Sequence, residues 1–167
     1  VETLVAIAVL LLAVTAPLSL ATKSLNSSVL SKQQITASFL AQEAMEYIRN
    51  IRDENVIKHN DWLYADSGIQ NCFTGQCIVD PTLASGTDNI KKCQGGVCPL
   101  LRYRATNGIY SYDTGVGTED SIYTRVVEMA DVVNNREVAV LATVSWSGPN
   151  GVTYEVIARE NLTDWQY

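Results

Sequence analysis

Few residues in this chain have the type and spacing to do chemistry, and the most constrained of them is Glu2. The chain opens Val1-Glu2-Thr3-Leu4-Val5-Ala6-Ile7, and no other charge appears before Lys23. A carboxylate at the head of a membrane-length apolar run is costly in lipid unless a cation partners it. Its chemistry is ion pairing rather than proton transfer. If many copies of such a helix pack side by side, each Glu2 can meet a positive N-terminus on its neighbour. A membrane anchor then becomes a polymerisation device.

The other candidates are weaker. Cys72/Cys77 and Cys93/Cys98 form two pairs, each with four intervening residues. Structural zinc sites more often space paired ligands by two, and His59 is the single histidine. An even cysteine count in turn-rich sequence behind a membrane segment points to disulfides outside the cytoplasm. Four cysteines allow three pairings; two local bridges are favoured over crossed or nested ones. Glu43 and Glu46, one turn apart, could suggest acid–base work, but read better as a solvated helix face with Glu46–Arg49 or Glu46–Asn50 contacts. Asp113, Glu119 and Asp120 flank Gly115 and Gly117 and could shape an oxygen-lined loop, although the spacing fits no calcium motif. His59, beside Asn60 and Asp61, reads as a surface loop residue. No nucleophile motif or metal cluster is present in the sequence, so no catalytic residue, metal or cofactor is assigned and no enzyme is expected. Tyr110, Tyr112 and Tyr123 could touch a sugar or surface but read better as sheet packing. Two short glycosylation sequons, at Asn26 and Asn161, are of a kind that arises by chance.

These residues need elements to hold them. Thr3 to Ala21 is long enough, at about 1.5 Å per residue, to cross a bilayer core. A cleavable secretory signal would carry a basic stretch first, and here an acid comes first. Pro17 removes one helical hydrogen bond, which predicts a kink or short unwound stretch. Behind Lys23, residues Leu25, Val29, Ile35, Phe39, Leu40, Ala44, Ile48 and Ile51 recur mostly at steps of three or four. One helix is therefore expected from the start to Arg52–Asn55, its rear half covering a sheet.

The spans expected are 1–22 for the apolar helix, 23–55 for an amphipathic stem, 56–99 for an irregular cysteine-containing region and 100–167 for an antiparallel sheet. Within the last, Arg102–Thr106 and Ile109–Tyr112 flank Asn107-Gly108, the preferred pair for a two-residue type I′ hairpin. Ile122–Ala130, Glu137–Trp146 and Val152–Asn161 alternate as strands, the last two joined by a turn at Ser147–Gly151. The fold class is α+β: a long N-terminal helical stem packed on a C-terminal antiparallel β-sheet. With 18 acidic against 12 basic residues, net charge is -6, and no specific nucleic-acid binding is expected. Lys91-Lys92 and Arg102/Arg104 remain as local basic patches.

The opening seven residues resemble the start of a type IV pilin or type II secretion pseudopilin, just after the leader-peptidase site. The apolar helix, the position of Pro17, the amphipathic stem and the terminal sheet follow in the same order. The resemblance covers the architecture of the chain, while its sequence-specific part is residues 1–20. It implies N-terminal methylation, copies of itself in a helical surface filament, and an inner-membrane assembly platform with an ATPase. It also implies a single-pass membrane stage before assembly, with Glu2 pairing to a neighbour's N-terminal amine. The function implied is a pilus subunit for adhesion, twitching motility or DNA uptake, with a pseudopilin or a minor tip adhesin as the alternatives. Many members close one disulfide loop at the C-terminus; here the cysteines lie mid-chain, so the tail is expected to pack, with Trp165 as an anchor.

Overall fold

A computed structural model describes residues 1–63, 68–83, 89–134, 136–148 and 151–165. Helix α1 runs over Glu2–Ile57, and its 56 residues form one uninterrupted assignment that continues on both sides of Pro17. Pro17 lacks an amide hydrogen, so the Ala13 carbonyl loses its usual helical donor there. The chain divides into two units, Val1–Ile35 and Thr36–Tyr167, so α1 contributes to both.

α1 ends with His59 in the left-handed conformation, at φ 56°. The His59 amide donates to the Val56 carbonyl and the Asn60 amide to the Asn55 carbonyl, both at 3.0 Å. This pair of bonds closes the last turn as a Schellman cap. His59 is thus a helix stop, a more specific role than surface loop.

The second unit is α+β. A short helix α2 (Gln70–Phe73) precedes seven strands: β1 (Cys77–Val79), β2 (Ile90–Lys92), β3 (Leu100–Arg104), β4 (Ile109–Ser111), β5 (Thr118–Val133), β6 (Glu137–Ser147) and β7 (Thr153–Thr163). All belong to one antiparallel sheet. The 16-residue β5 is its spine. One edge of β5 pairs with β6 from Tyr123 to Val133. The other edge takes β3 opposite Thr118–Thr124 and β1 opposite Val127. β6 then carries β7 in unbroken register from Glu137↔Thr163 to Ser147↔Thr153.

The alternation read in β6 holds at every position: Val138, Val140, Ala142, Val144 and Trp146 are buried and their neighbours are not. Tyr103, Tyr110, Tyr123, Trp146 and Tyr154 form a ladder of rings across five strands, with successive centroids 5.0, 5.7, 6.0 and 5.7 Å apart. Such ring pairs add about 0.5–1.5 kcal/mol each beyond simple burial.

Four expectations need correction. Residues 56–99 are not merely irregular, because β1 and β2 pair as Cys77↔Lys92 to Val79↔Ile90 and join the main sheet. The β3–β4 turn is not a two-residue Asn-Gly turn: Arg104 pairs with Ile109, leaving a four-residue loop closed by Gly108 N–H to the Arg104 carbonyl at 2.9 Å. Only Gly108 is left-handed there (φ 73°), whereas a type I′ turn needs two such residues. Trp165 is not a buried anchor, being 49% exposed. Ile35 and Phe39 were read as part of the covered helix stripe, yet they are 58% and 66% exposed. The face that meets the sheet is instead Ala37, Leu40, Ala41, Ala44, Met45 and Ile48. Alanines let a helix approach closely. The centre of the Ser147–Gly151 turn, Pro149-Asn150, lies outside the described residues.

Candidate functional site

The first 35 residues carry almost no internal burial. Val1 is 97% exposed, and Leu4, Leu10, Leu12, Leu18 and Leu20 are each at least 64% exposed. An 18-residue window here has mean hydropathy 2.5 and is 0% buried, so this helix is long and apolar enough to cross a membrane. Two of its threonine hydroxyls bond back to the helix. Thr15 Oγ1 donates to the Leu12 carbonyl at 3.3 Å and Thr22 Oγ1 to the Ser19 carbonyl at 2.9 Å. Such back-bonding satisfies a hydroxyl where no water is at hand. Glu2 lies in the first turn of α1, where the helix dipole favours an anion. Among the described residues it has no ion-pair partner within its own chain. Pro17 sits in the last third of the apolar stretch Thr3–Ala21.

The carboxylates of α1 have separate jobs. Glu46 pairs with Arg49, as expected, and Arg49 also grips Glu160 of β7. Glu43 does not belong to a solvated face. It accepts from Nη1 of Arg125, a β5 residue that is 0% exposed. The same guanidinium donates to the Leu40 carbonyl at 3.0 Å and to the Val79 carbonyl. One buried arginine therefore ties α1, β1 and β5 together. The sequence did carry a signal for it: Arg125 falls on the inward phase of Tyr123, Val127 and Met129, where a charge demands a partner.

Tyr112 roofs this cluster. Its hydroxyl donates to the Arg125 carbonyl at 3.1 Å, and its ring lies 6.0 Å from the guanidinium carbon. Burial pushes the Tyr112 phenol up to about 12 from 10.0, against the opposing pull of Arg125. The unfolded chain releases this proton near pH 10 and the folded chain near pH 12. The stability it contributes is fully present below pH 10 and lost as pH rises through 12. Burial raises Tyr47, Tyr110 and Tyr123 in the same direction. Thermal melts are expected to hold steady up to about pH 10 and fall beyond it. Phenolate absorbance should lag behind that of free tyrosine.

The four cysteines form two local bridges, Cys72–Cys77 and Cys93–Cys98, with Cα atoms 5.0 and 4.7 Å apart. The first joins α2 to β1, and the second closes the turn after β2. Short loops gain only about 2 kcal/mol per bridge in chain entropy. The Cys72→Ala/Cys77→Ala variant should lose about that amount in urea unfolding and somewhat more than the Cys93/Cys98 double variant, because Cys72 and Cys77 are the more completely buried pair, at 1% and 0% exposed against 6% and 9%.

The remaining candidates do not converge. Asp113 pairs with Arg104 and Asp120 with Arg102. Those two arginines are therefore not free basic patches, and the Asp113–Asp120 segment does not point its carboxylates at one centre. Among the described residues, no group of three or more His, Cys, Asp or Glu side chains is placed to hold a metal. Tyr123 is buried and Tyr110 half-buried, both within the aromatic ladder, so neither offers a free ring face of the kind a sugar platform needs.

The site with unspent capacity is thus the apolar front of α1 with Glu2 at its head. Comparisons of this chain with protein-family models, with curated proteins and with solved structures gave no match.

Proposed function

We propose that this chain is a structural subunit of a type IV pilus-like filament, held in the membrane by α1 before assembly and polymerising through that helix. The observation that carries the reading is the length over which apolar side chains stay exposed. They continue past the membrane-length stretch through Leu25, Val29 and Ile35 to Phe39. At about 1.5 Å per residue that is close to 60 Å, roughly twice a bilayer core of about 30 Å. A plain single-pass anchor gives Ile35 and Phe39 nothing to be buried against. Neighbouring copies of the same helix would bury them, at about 25 cal/mol per Å² for the part that leaves water. Lipid-facing residues gain less, because lipid is already apolar. In this reading Glu2 sets register by pairing with a neighbour's cation, an assembly platform and ATPase drive subunits out of the membrane, and adhesion, motility or DNA uptake follows from the filament's surface. No catalytic role enters.

Two alternatives use the same helix, a secretion-type pseudopilin that builds a short piston and a minor tip subunit. Shearing fibres from the source cells and identifying their main protein by mass spectrometry separates them. This chain as the bulk of the sheared fibre supports the filament reading. Fibres that lack it, with the chain retained in the membrane fraction, would favour the alternatives or a plain anchor.

A further inference from the structure

The sheet ends in one unusual edge. Where the other outermost strands, β2 and β4, have three residues each, β7 has eleven. Among the described residues, β7 pairs only with β6 and no strand lies on its outer side. Long open edges invite another strand, and proteins usually shorten or cover them. On the sheet face away from α1, β7 presents Thr153, Glu155, Ile157, Arg159 and Asn161, all exposed. Neither Glu155 nor Arg159 has an ion-pair partner among the described residues.

The order of these residues is self-complementary. In an antiparallel pair of β7 strands with the two-fold axis at Ile157, Ile157 meets its own copy and Glu155 faces Arg159 of the other chain, twice over. Thr153 faces Asn161, and the inner-face residues Val156 and Ala158 face each other. Moving the axis by one residue sets Glu155 against Ile157 or Ile157 against Arg159. Moving it by two sets Glu155 or Arg159 against itself. Because side chains alternate with period two, only the Ile157 register satisfies both charges and keeps each face matched. Charges placed merely to repel other strands need no such symmetry.

We propose that β7 is a homotypic docking edge: two copies of this chain pair β7 to β7, antiparallel about Ile157, into a continuous fourteen-stranded sheet (7 strands from each copy). The contact is isologous, unlike the head-to-tail contacts that build a helical filament. It is therefore separate from those contacts and does not rest on the filament reading.

The test uses the full chain purified in detergent, with oxidative cross-linking at single introduced cysteines. Ile157→Cys should form covalent dimers readily, since paired Cα atoms across such a ladder are about 4.5–5.5 Å apart. Thr153→Cys should not, because in this register its two copies are eight residues apart, about 27 Å. On the Ile157→Cys background, Glu155→Arg alone and Arg159→Glu alone should each cut the dimer yield by about fivefold or more. The double reversal Glu155→Arg/Arg159→Glu should restore it. Equal cross-linking at 153 and 157 would mean association through the apolar helices and would overturn the proposal. So would a lack of dimer at 157, or a double reversal no better than the single ones. These side chains are exposed, and matching circular dichroism spectra confirm that the variants fold.

Discussion

Glu2→Ala is expected to abolish filament formation while the sheet unit folds and melts as in the wild type. The reasoning starts from desolvation. In a core of packed apolar helices, a carboxylate is tolerated only in the stagger that brings a cation to it. Removing the carboxylate strands that cation instead. Breaking a buried pair costs about 3–5 kcal/mol, which is a factor of about 100 or more in each subunit contact. Glu2 lies in the unit Val1–Ile35, and Thr36–Tyr167 forms the other, so thermal unfolding of the sheet should be unchanged. Glu2→Gln keeps the shape but not the charge and should assemble poorly or out of register. The comparison to make is fibre yield in sheared fractions against total membrane-bound subunit. A simple anchor behaves in the opposite way, since losing an acid eases its insertion into lipid. Normal fibres from Glu2→Ala would remove Glu2 as the register device.

The second large effect is expected at Glu43. By exposure it looks replaceable, since its side chain is 39% accessible. Its partner Arg125 is 0% accessible, however, and Glu43→Ala leaves that guanidinium with only carbonyl acceptors. A stranded buried charge costs about 3 kcal/mol or more, or about 10 °C of melting temperature in a unit of this size. The penalty belongs to the arginine, so removing it as well should recover stability. The double variant Glu43→Ala/Arg125→Met is expected to melt above Glu43→Ala alone, since replacing a buried pair with apolar groups of similar volume is often nearly neutral. Glu43→Gln, which keeps an acceptor, should lie between wild type and Glu43→Ala. Denaturant melts of the four proteins check the order. A Glu43→Ala variant that melts with the wild type would mean that Arg125 is adequately held by the Leu40 and Val79 carbonyls alone.

The parts of this fold that could be read from sequence share a physical cause. Helix α1 is long and β6 is long, so their periods repeat often enough to be seen. β6 buries alternate residues over eleven positions, and reading its face required no tertiary information. β1 and β2 have three residues each, too few for an alternation to register, and their place in the sheet depends on long-range pairing to β5. The helix face was misread for a different reason. Ile35 and Phe39 weigh heavily in any hydrophobic pattern, while Ala37, Ala41 and Ala44 weigh little. Yet the alanines lie on the buried face, each of them 0% exposed. The same misreading gave Glu43 to solvent, although it lies beside Ala44 and Leu40 near the buried face. Glu2 was legible because a charge in an apolar run needs no partner from the fold to stand out. The pairing proposed for it, by contrast, would lie between chains and is not written in one chain.

The central claim is that the apolar front of α1 is buried by copies of itself with Glu2 paired. Cryo-electron microscopy of fibres sheared from the source cells tests it most directly. The account predicts residues 1–35 in the fibre core, Ile35 and Phe39 covered by neighbouring subunits, and a positive group within ion-pair distance of the Glu2 carboxylate. Fibres built from another chain, or a core in which Glu2 faces solvent without a partner, would contradict it.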